Sequence, residues 1–416
     1  MKTALLIVDH FPPSFAPRMG YLCKYLKSLG WTARVFSVKH PSKINKFDNL
    51  VGYVPAEEVP MPSYSKSHAI DKLLIEIGGR FCGSLGWSMY DQKMYKHIKK
   101  EITNEHYDIV LCSTASFFPL SCAYKIAKEL RLPLILDFRD IYEQDPYAYS
   151  TKGLAGMLRK IHIKNRNKII SKANAITTIS EWHKEYLSKH NGNIHLIYNG
   201  FDEELFYPHN EAPTSQFNIT YTGSVAPTDC IGSRDPELFF QAIGELHTQG
   251  KLEHKTFCVN FYTDDKSKIY LKQVADKYGI GQYIHITEWV SSKDIPSILA
   301  ESNVLLILVA AKNTHGVMGT KLYEYLAMKR QILCVPETSG PVVKIMTDAG
   351  AGHAFDNITD IRNYLETHYN IWKATGYVPC STNWEYVRQF SRELQAKQFV
   401  EIFEKTTKEK FTDKSD

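Results

Sequence analysis

Short apolar runs alternate with amphipathic stretches along almost the whole chain, and this alternation limits the possible fold more than any other feature. Runs such as Ala4–Val8 and Val304–Val309 have the length of buried strands. Between such runs lie segments such as Met19–Leu29, in which apolar residues recur at helical spacing. This order is typical of βαβ units, and it predicts parallel sheets that are covered by helices.

The predicted elements form two sets. In the first set, strands are predicted at Ala4–Val8, Arg34–Val38, Ile109–Cys112, Leu134–Asp137, Ala175–Ile179 and His195–Ile197, and helices at Met19–Leu29, Leu120–Leu130 and Glu181–Ser188. In the second set, strands are predicted at Asn218–Tyr221, Thr256–Tyr262, Ile284–Ile286, Val304–Val309 and Gln331–Val335, and helices at Glu237–Gln249, Ser267–Tyr278, Lys293–Ala300 and Lys321–Met328. The charged, periodic stretch Trp384–Lys405 is predicted to form one final helix.

A chain of 416 residues is too long for one ordinary core, so two domains are expected. The segment Phe201–Gln216 contains two prolines and mixed polar residues, as an interdomain linker does. We therefore predict domains at 1–208 and 215–384, with a crossover helix at 385–410 that returns to the first domain. Two doubly wound α/β domains that face a central cleft would bring their strand ends around one ligand site.

Composition excludes several classes of protein. Hydrophobic residues make up 44% of the chain and charged residues 23%, as in water-soluble globular proteins. No apolar run is long enough to span a bilayer, and the N-terminal run lacks the features of a signal peptide. The eight cysteines are scattered without a Cys-x-x-Cys pair, which favours reduced thiols. These features together predict a cytoplasmic protein.

Charge is distributed unevenly along the chain. Residues 1–200 carry a net charge of +11 and the remainder −6, so the first half is expected to face an anionic partner. The segment Lys152–Lys172 has seven basic residues and no acidic one, with apolar residues at helical spacing. Such a helix fits an anionic membrane surface, and it equally fits a surface helix that packs its apolar stripe on the sheet. The chain shows no nucleic-acid recognition motif, and we predict no nucleic-acid partner.

The segment Gly316–Arg330 carries the strongest functional signal. A predicted strand leads into a glycine-containing loop, and a helix opens at about Thr320. Backbone N–H groups at a helix N-terminus bind phosphate, and Lys321 adds a positive charge in the first turn. Glu324 lies one turn further and can accept hydrogen bonds from ribose hydroxyls. The alternative is an ordinary helix start with Lys321 and Glu324 as a solvated pair.

Four stretches, in the same order along the chain, resemble glycosyltransferase family 4, the retaining enzymes of the GT-B fold. GTKLYEYLAMKRQIL, from Gly319, resembles the helix of that family that binds the sugar donor. FPPSFAPRMGYLCKYLKSLGW resembles its first loop and helix, and ANAITTISEW with IHLIYNGFD resembles the close of its N-terminal domain. YTGSV with SRDPELFFQAIGEL resembles the first strand, loop and helix of its nucleotide-binding domain.

The resemblance implies roles for particular residues. Glu324 corresponds to the glutamate that binds ribose, and Lys321 and Arg234 would hold the diphosphate. For Arg234, a plain role as a partner of Asp235 remains open. The full set of positions expected to bind the sugar donor is Arg18, Gly20, Gly223, Arg234, His315, Gly316, Gly319, Thr320, Lys321 and Glu324.

Arg139, Asp140 and Lys321 are the candidate catalytic residues. In the resemblance, Arg139 and Asp140 close a strand of the N-terminal domain and face the reacting centre, where Asp140 would position the acceptor. An internal salt bridge at that strand end is the alternative. Two positions depart from the family pattern: Gly316 stands where many members have a second glutamate, and Ser224 stands where an arginine usually follows the glycine.

The function implied is transfer of a sugar from a UDP- or GDP-linked donor to a saccharide acceptor, with retention of configuration. If the basic segment contacts a membrane, the acceptor is expected to be a lipid-linked saccharide of surface polysaccharide biosynthesis, with the enzyme peripheral on the inner face of the plasma membrane. No metal and no other cofactor is expected, because the nucleotide sugar is a substrate and no Asp-x-Asp sequence occurs. The alternatives are a nucleotide-sugar 2-epimerase of the same architecture and a non-catalytic, nucleotide-binding scaffold subunit.

Overall fold

The computed structural model describes residues 1–13, 17–39, 47–62, 76–103, 105–115, 117–144, 152–208, 212–228, 233–309 and 316–408. The chain forms two compact units. The first unit comprises Met1–Tyr198, His315–Val317 and Arg392–Asp416. The second unit comprises Asn199–Thr314 and Met318–Ser391.

The first unit contains a parallel sheet whose described strands number seven, in the order β3-β2-β1-β4-β5-β6-β7. Its central strands are fully buried on both faces, because helices cover the sheet on either side. The strands are β1 (Lys2–Val8), β2 (Trp31–Val38), β3 (Ala56–Val59), β4 (Ile109–Thr114), β5 (Leu134–Phe138), β6 (Ala175–Thr178) and β7 (Ile194–Leu196).

Helices connect these strands and cover the sheet. They are α1 (Pro17–Leu26), α2 (Cys82–Ser84), α3 (Met89–Glu101), α4 (Leu120–Leu130), α5 (Gly153–Ile170), α6 (Glu181–Ser188) and, from the end of the chain, α14 (Arg392–Lys408). Short turns of other helical geometry lie at Lys27–Leu29, Asp48–Leu50, Glu76–Phe81 and Tyr142–Gln144.

The second unit repeats the same plan with a parallel sheet of six described strands, in the order β10-β9-β8-β11-β12-β13. Its strands are β8 (Phe217–Thr222), β9 (Phe257–Thr263), β10 (Ile284–Glu288), β11 (Val304–Leu308), β12 (Gln331–Val335) and β13 (Gly352–Ala354). Its helices are α7 (Glu237–Thr248), α8 (Asp265–Lys277), α9 (Ile295–Ala300), α10 (Thr320–Ala327), α11 (Pro341–Asp348), α12 (Ile358–Thr375) and α13 (Trp384–Arg388), with a 3₁₀ turn at Gly281–Tyr283.

The predicted single helix at Trp384–Lys405 is wrong. The structure has two helices there, α13 and α14, which are separated at Gln389–Ser391. Phe201 explains the interruption, since its backbone N–H donates to the carbonyl of Phe390 and it forms a β-bridge with Ser391. A backbone that pairs with a distant segment cannot continue the helical hydrogen-bond pattern.

Helix α14 completes the core of the first unit. Its residues Phe399 and Phe403 are buried in the same apolar cluster as Trp31 of β2 and Leu22 of α1. The Trp31 and Phe403 rings meet edge to face, with 5.1 Å between their centroids. The first unit is therefore completed by a helix that lies far from its other helices and strands in the sequence. No helix among the described residues is long and apolar enough to cross a membrane.

Candidate functional site

Both sheets place a topological switch point at the same position in their strand order. Neighbouring strands β1 and β4 in the first unit, and β8 and β11 in the second, lead to connections that run in opposite directions. Ligands of doubly wound sheets bind beside the carboxyl ends of such strands, because the diverging loops leave a crevice there. The residues that follow these strands are therefore the candidates for ligand binding.

In the second unit, the N-terminus of α10 is open to an anion. Gly319 is the residue before the helix, and having no side chain it cannot cap the first N–H groups. The first turn contains no acidic residue, and Lys321 lies within it. Helix dipole and lysine therefore act in the same direction, and the site is suited to a phosphate group.

Helix α10 is held firmly on the sheet by its apolar face. Leu322 and Leu326 are buried, and the Tyr325 hydroxyl accepts a hydrogen bond of 3.1 Å from the backbone N–H of Thr222 at the end of β8. Lys321 and Glu324 lie three residues apart and are half-buried on the remaining face. Their backbone is thus fixed, as precise ligand binding requires.

Gly223 makes room for Lys321. A Cβ atom at this glycine would lie 1.7 Å from the Lys321 Nζ, and its φ of +143° is one that residues with side chains rarely adopt. The ammonium group also lies 4.6 Å from the centroid of the Tyr221 ring. The structure thus brings together three of the predicted positions, Gly223, Thr320 and Lys321, at the switch point of the second sheet.

Arg234 is held close to the end of β8 by its backbone. Its backbone pairs with Ala226 in an antiparallel bridge, and its neighbour Asp235 accepts hydrogen bonds from Thr228 and from the Tyr270 hydroxyl. These contacts hold Arg234 and Asp235 next to the residues that follow β8. The predicted contact through His315 lies outside the described residues.

In the first unit, Arg139 forms a salt bridge with Asp9. Asp9 directly follows β1, and it also accepts a hydrogen bond of 3.1 Å from the backbone N–H of Ala115, which follows β4. One carboxylate thus ties together the ends of both strands that flank the switch point and orients the guanidinium there. An internal salt bridge, the alternative considered for Arg139, is what the structure contains, with Asp9 as the partner.

Asp140 begins a chain of hydrogen bonds that sequence reasoning missed. The Gln144 side-chain N–H₂ donates to Asp140 over 2.6 Å, and the Gln144 oxygen lies 2.7 Å from His183 Nε2. Burial raises the pKa of the Asp140 carboxyl above its ordinary value. The signals available in the sequence were weak: a glutamine four residues after Asp140, and a histidine in the first turn after Ser180.

Gly316 belongs to the first unit and packs against this chain. A Cβ atom at Gly316 would lie 2.6 Å from the Ser180 Oγ and 3.1 Å from the His183 ring, and φ is +69°. The glutamate that many members of the resembling family carry at this position would collide with Ser180 and His183 here. The departure from the family pattern therefore has a steric cause within this chain.

Arg18 has a different role from the expected one. Its side chain is only 3% exposed, and its guanidinium donates to Asp137 and to the carbonyl oxygens of Ile197 and Tyr198. The structure gives Arg18 the task of joining α1 to two strand ends, so we do not carry it into the proposed site. Gly20 likewise serves packing, since a Cβ atom there would lie 2.5 Å from the Pro12 side chain.

One group of described residues combines ligand types that metals prefer. Glu57, His97 and Glu101 have ligand atoms within 4.8 Å of one another. Arg34 already donates to Glu57 over 3.2 Å, and His97 contacts the same carboxylate. The group lies at β3 and α3, apart from the strands of the switch point, and Arg34 already pairs with its Glu57 carboxylate.

The stability of the first unit should fall in mild acid. Burial lowers the pKa of His183 and of His162 to about 4, whereas the unfolded value is 6.5. Each neutral histidine therefore stabilises the fold above pH 6.5, and this contribution is lost as the pH falls towards 4. At pH 5 each histidine is protonated in the unfolded state and neutral in the fold. We expect this difference to lower the free energy of unfolding by about 2 kcal/mol for each of the two histidines.

Thermal unfolding between pH 7.5 and pH 5 measures this effect. The His183→Gln variant should show a shallower pH dependence than the parent protein, whereas His254→Gln, at an exposed histidine, should match the parent. Equal slopes for both variants would show that His183 is not a source of the acid sensitivity.

The comparisons with known proteins agree with this geometry. Residues 18–205 match the family model Glycosyltransferase Family 4. Among solved structures, HepE of Anabaena in complex with UDP is 13% identical, with a TM-score of 0.66 and coverage of 97% of this chain and 100% of that chain. A glycosyltransferase from Rickettsia africae is 17% identical, with a TM-score of 0.65 and coverage of 98% and 99%.

Sucrose-phosphate synthase from Thermosynechococcus elongatus is 13% identical, with a TM-score of 0.65 and coverage of 97% and 99%. No curated protein sequence matches the chain. The two doubly wound parallel sheets and these structural neighbours define the GT-B fold, which confirms the predicted fold class. The resemblance to glycosyltransferase family 4 is confirmed as well: the chain carries a domain of that family over residues 18–205, and it is a glycosyltransferase.

Proposed function

We propose that the protein transfers a sugar from a nucleoside diphosphate sugar to a saccharide acceptor, with retention of configuration at the anomeric carbon. The observation that carries this proposal is the N-terminus of α10. There the residue before the helix is a glycine without a capping side chain, the first turn has no acidic residue, and Lys321 lies in that turn. HepE, which shares the fold, has been crystallised with UDP and with UDP-glucose. A uridine nucleotide is therefore our first choice of donor, and a GDP-linked sugar is the second.

In this proposal the second unit binds the sugar donor. The first-turn N–H groups of α10, together with Gly319 and Thr320, hold the diphosphate, and Lys321 neutralises part of its charge. Glu324 accepts hydrogen bonds from the ribose hydroxyls, as its place one turn along the same helix face allows. Arg234, whose backbone pairs with that of Ala226 after β8, adds a second cation for the diphosphate.

The first unit supplies the groups for the acceptor. Asp140 is proposed to accept a hydrogen bond from the hydroxyl that will attack, and Gln144 and His183 fix its orientation. The raised pKa of Asp140 makes this carboxylate a better hydrogen-bond acceptor than an exposed one. Arg139, oriented by Asp9, is proposed to contact a phosphate or the acceptor.

The reaction needs no protein nucleophile in this scheme. The bond between the anomeric carbon and the diphosphate oxygen breaks, the acceptor oxygen bonds to that carbon, and the acceptor proton passes to the departing diphosphate. The chain contributes binding in register and stabilisation of the leaving group by Lys321 and the helix dipole. We further propose that the acceptor is a lipid-linked saccharide of surface polysaccharide biosynthesis, used at the cytoplasmic side of the membrane.

Thermal unfolding in the presence of nucleotides tests the donor assignment. UDP at about one hundred times its dissociation constant should stabilise the protein by about 2.7 kcal/mol, a rise in Tm of several degrees. UDP-glucose should act similarly, and uridine, which lacks the diphosphate, should have little effect. A larger shift with GDP would reassign the base, and no shift with any nucleoside diphosphate would contradict the proposed site.

A further inference from the structure

A groove of about 470 Å³ lies on the outer side of the helices that cover the first sheet. Helices α4 and α5 form two of its walls, and the loop at Gly86–Trp87 forms the third. None of its lining residues follows the carboxyl end of a strand, so the groove is separate from the residues of the proposed catalytic site. Its most prominent lining residues are Trp87, Tyr124, Lys125, Lys128, Lys168 and Lys172.

The charge of this groove is strongly positive. All four lysines are exposed, and none has a carboxylate within salt-bridge distance among the described residues; Glu129, which attracts Lys125 electrostatically, is paired with Lys99. The residues that line the groove include no carboxylate. Four ammonium groups around one concave surface repel each other, so an anionic partner would be bound favourably there.

The aromatic rings of the groove are covered by lysine rather than exposed for stacking. Lys125 Nζ lies 4.9 Å from the Trp87 ring centroid and 4.1 Å from that of Tyr95, and Lys172 Nζ lies 5.8 Å from the Tyr124 ring centroid. Single-stranded nucleic acids need free aromatic faces on which their bases stack. The groove therefore fits a phosphate group better than a nucleic-acid strand.

Exposed apolar side chains lie on the same two segments that carry groove residues. Leu85 is 57% exposed and immediately precedes the groove residues Gly86 and Trp87, and Ile77 and Phe81 are exposed on the turn before it. On α5, Leu154 is 65% exposed and Met157 is 52% exposed, so these two residues do not pack on the sheet. The two segments are joined, since the Asn165 side chain of α5 donates to the Ser84 carbonyl over 2.8 Å.

We propose that this surface docks the protein on a bilayer that contains anionic phospholipids, with a lipid phosphate in the lysine groove. Lysines near an anionic bilayer each add binding energy, and exposed leucine, phenylalanine and methionine side chains enter the boundary between head groups and acyl chains. Basic and apolar contacts are both needed because either alone binds a membrane weakly. The docking surface does not depend on which sugar the enzyme transfers.

Co-sedimentation with vesicles tests this surface. The purified full chain should bind vesicles rich in phosphatidylglycerol and should not bind vesicles of phosphatidylcholine alone. Replacing Lys125, Lys128, Lys168 and Lys172 together with glutamine should weaken binding to the anionic vesicles at least about 100-fold. Salt should weaken the binding of the parent protein as well, since exposed charges are screened.

Matched variants distinguish the effect of the groove on vesicle binding from the effect of net charge. Glutamine at four exposed lysines of the second unit, Lys255, Lys266, Lys272 and Lys293, makes the same change in charge and should leave vesicle binding almost unchanged. The variant Leu85→Ser/Leu154→Ser should bind anionic vesicles more weakly while it keeps all four lysines. Nucleotide-induced shifts in Tm should be equal in all these variants, which separates this test from that of the proposed function.

Three results would overturn the proposal. The parent protein could fail to bind anionic vesicles, the groove variant could bind them as the parent does, or the control variant could lose as much binding as the groove variant. Binding of inorganic phosphate without vesicle binding would also contradict it, because the groove would then serve a soluble anion.

Discussion

We expect the Asp137→Ala variant to lose about 3–5 kcal/mol of stability in the first unit, because it leaves the buried guanidinium of Arg18 without its counter-charge. Asp137 is fully buried at the end of β5, and both of its oxygens accept hydrogen bonds from Arg18. It also accepts hydrogen bonds of 2.7 Å from Ser113 on β4 and from Thr177 on β6. Its removal thus breaks one network that joins three neighbouring strands to α1.

Hydrogen exchange of first-unit peptides, together with calorimetry, measures this loss. Glu185→Ala removes an exposed carboxylate from the same unit and should change stability by less than about 0.5 kcal/mol. In a double-mutant cycle, Arg18→Ala and Asp137→Ala should couple by about 1–3 kcal/mol, since the second substitution no longer leaves a buried charge unpaired. Strictly additive effects would contradict the network.

The second large effect is expected at Glu324. Its substitution by alanine should raise the Kd for UDP at least about 100-fold, because two hydrogen bonds from ribose to a charged acceptor are lost. Isothermal titration of the full chain measures this Kd directly. Release of sugar from the donor should fall in parallel, since a loosely held donor is not kept in register.

A matched substitution controls for general effects of lost charge. Glu253→Ala removes an exposed glutamate of the same unit and should leave the Kd for UDP unchanged. Equal Kd values for the parent and the Glu324→Ala variant would remove the ribose contact from the proposal. If both also released sugar only at the background rate, the non-catalytic scaffold would become the better interpretation.

Much of the fold could be predicted from the sequence because the sheets are buried on both faces. A parallel strand in such a sheet is apolar over most of its length, so runs such as Leu134–Asp137 and Gln331–Val335 are visible by composition alone, although each contains one polar residue. The edge strands β3 and β13 are not predicted, because they lack such an apolar run. Their sequences, AEEV and GHA, carry no apolar run, and their backbone pairing depends on a neighbour that the sequence does not reveal.

Arg18 shows where sequence reasoning fails for a site. An arginine in a proline-rich loop before a helix reads as a ligand for phosphate, and charged residues are seldom buried. Its true partners, Asp137 and the carbonyl groups of Ile197 and Tyr198, are more than one hundred residues away. Only the tertiary structure shows that these hydrogen bonds of the guanidinium are made to the protein's own groups.

The helix at Gly153–Ile170 was predicted, but its environment was not. Two interpretations of its apolar residues remained open, a stripe on the sheet and a membrane face. Ile170 is buried whereas Leu154 and Met157 are exposed, so one helix contains both kinds of position. Periodicity alone does not distinguish them, because Ile170 is buried by residues of α4 and of strands β4 to β6, whose position the sequence of the helix does not reveal.

The completion of the first unit by α14 has a consequence for biosynthesis. The ribosome makes residues 1–198 first, yet the apolar surface of α1 and β2 stays uncovered until Phe399 and Phe403 have been translated. The second unit has a complete sheet before then and is free to fold while the first still waits. Residues 1–198 are therefore translated before α14 but complete their native packing only after it, and their apolar surface is open to aggregation in the meantime.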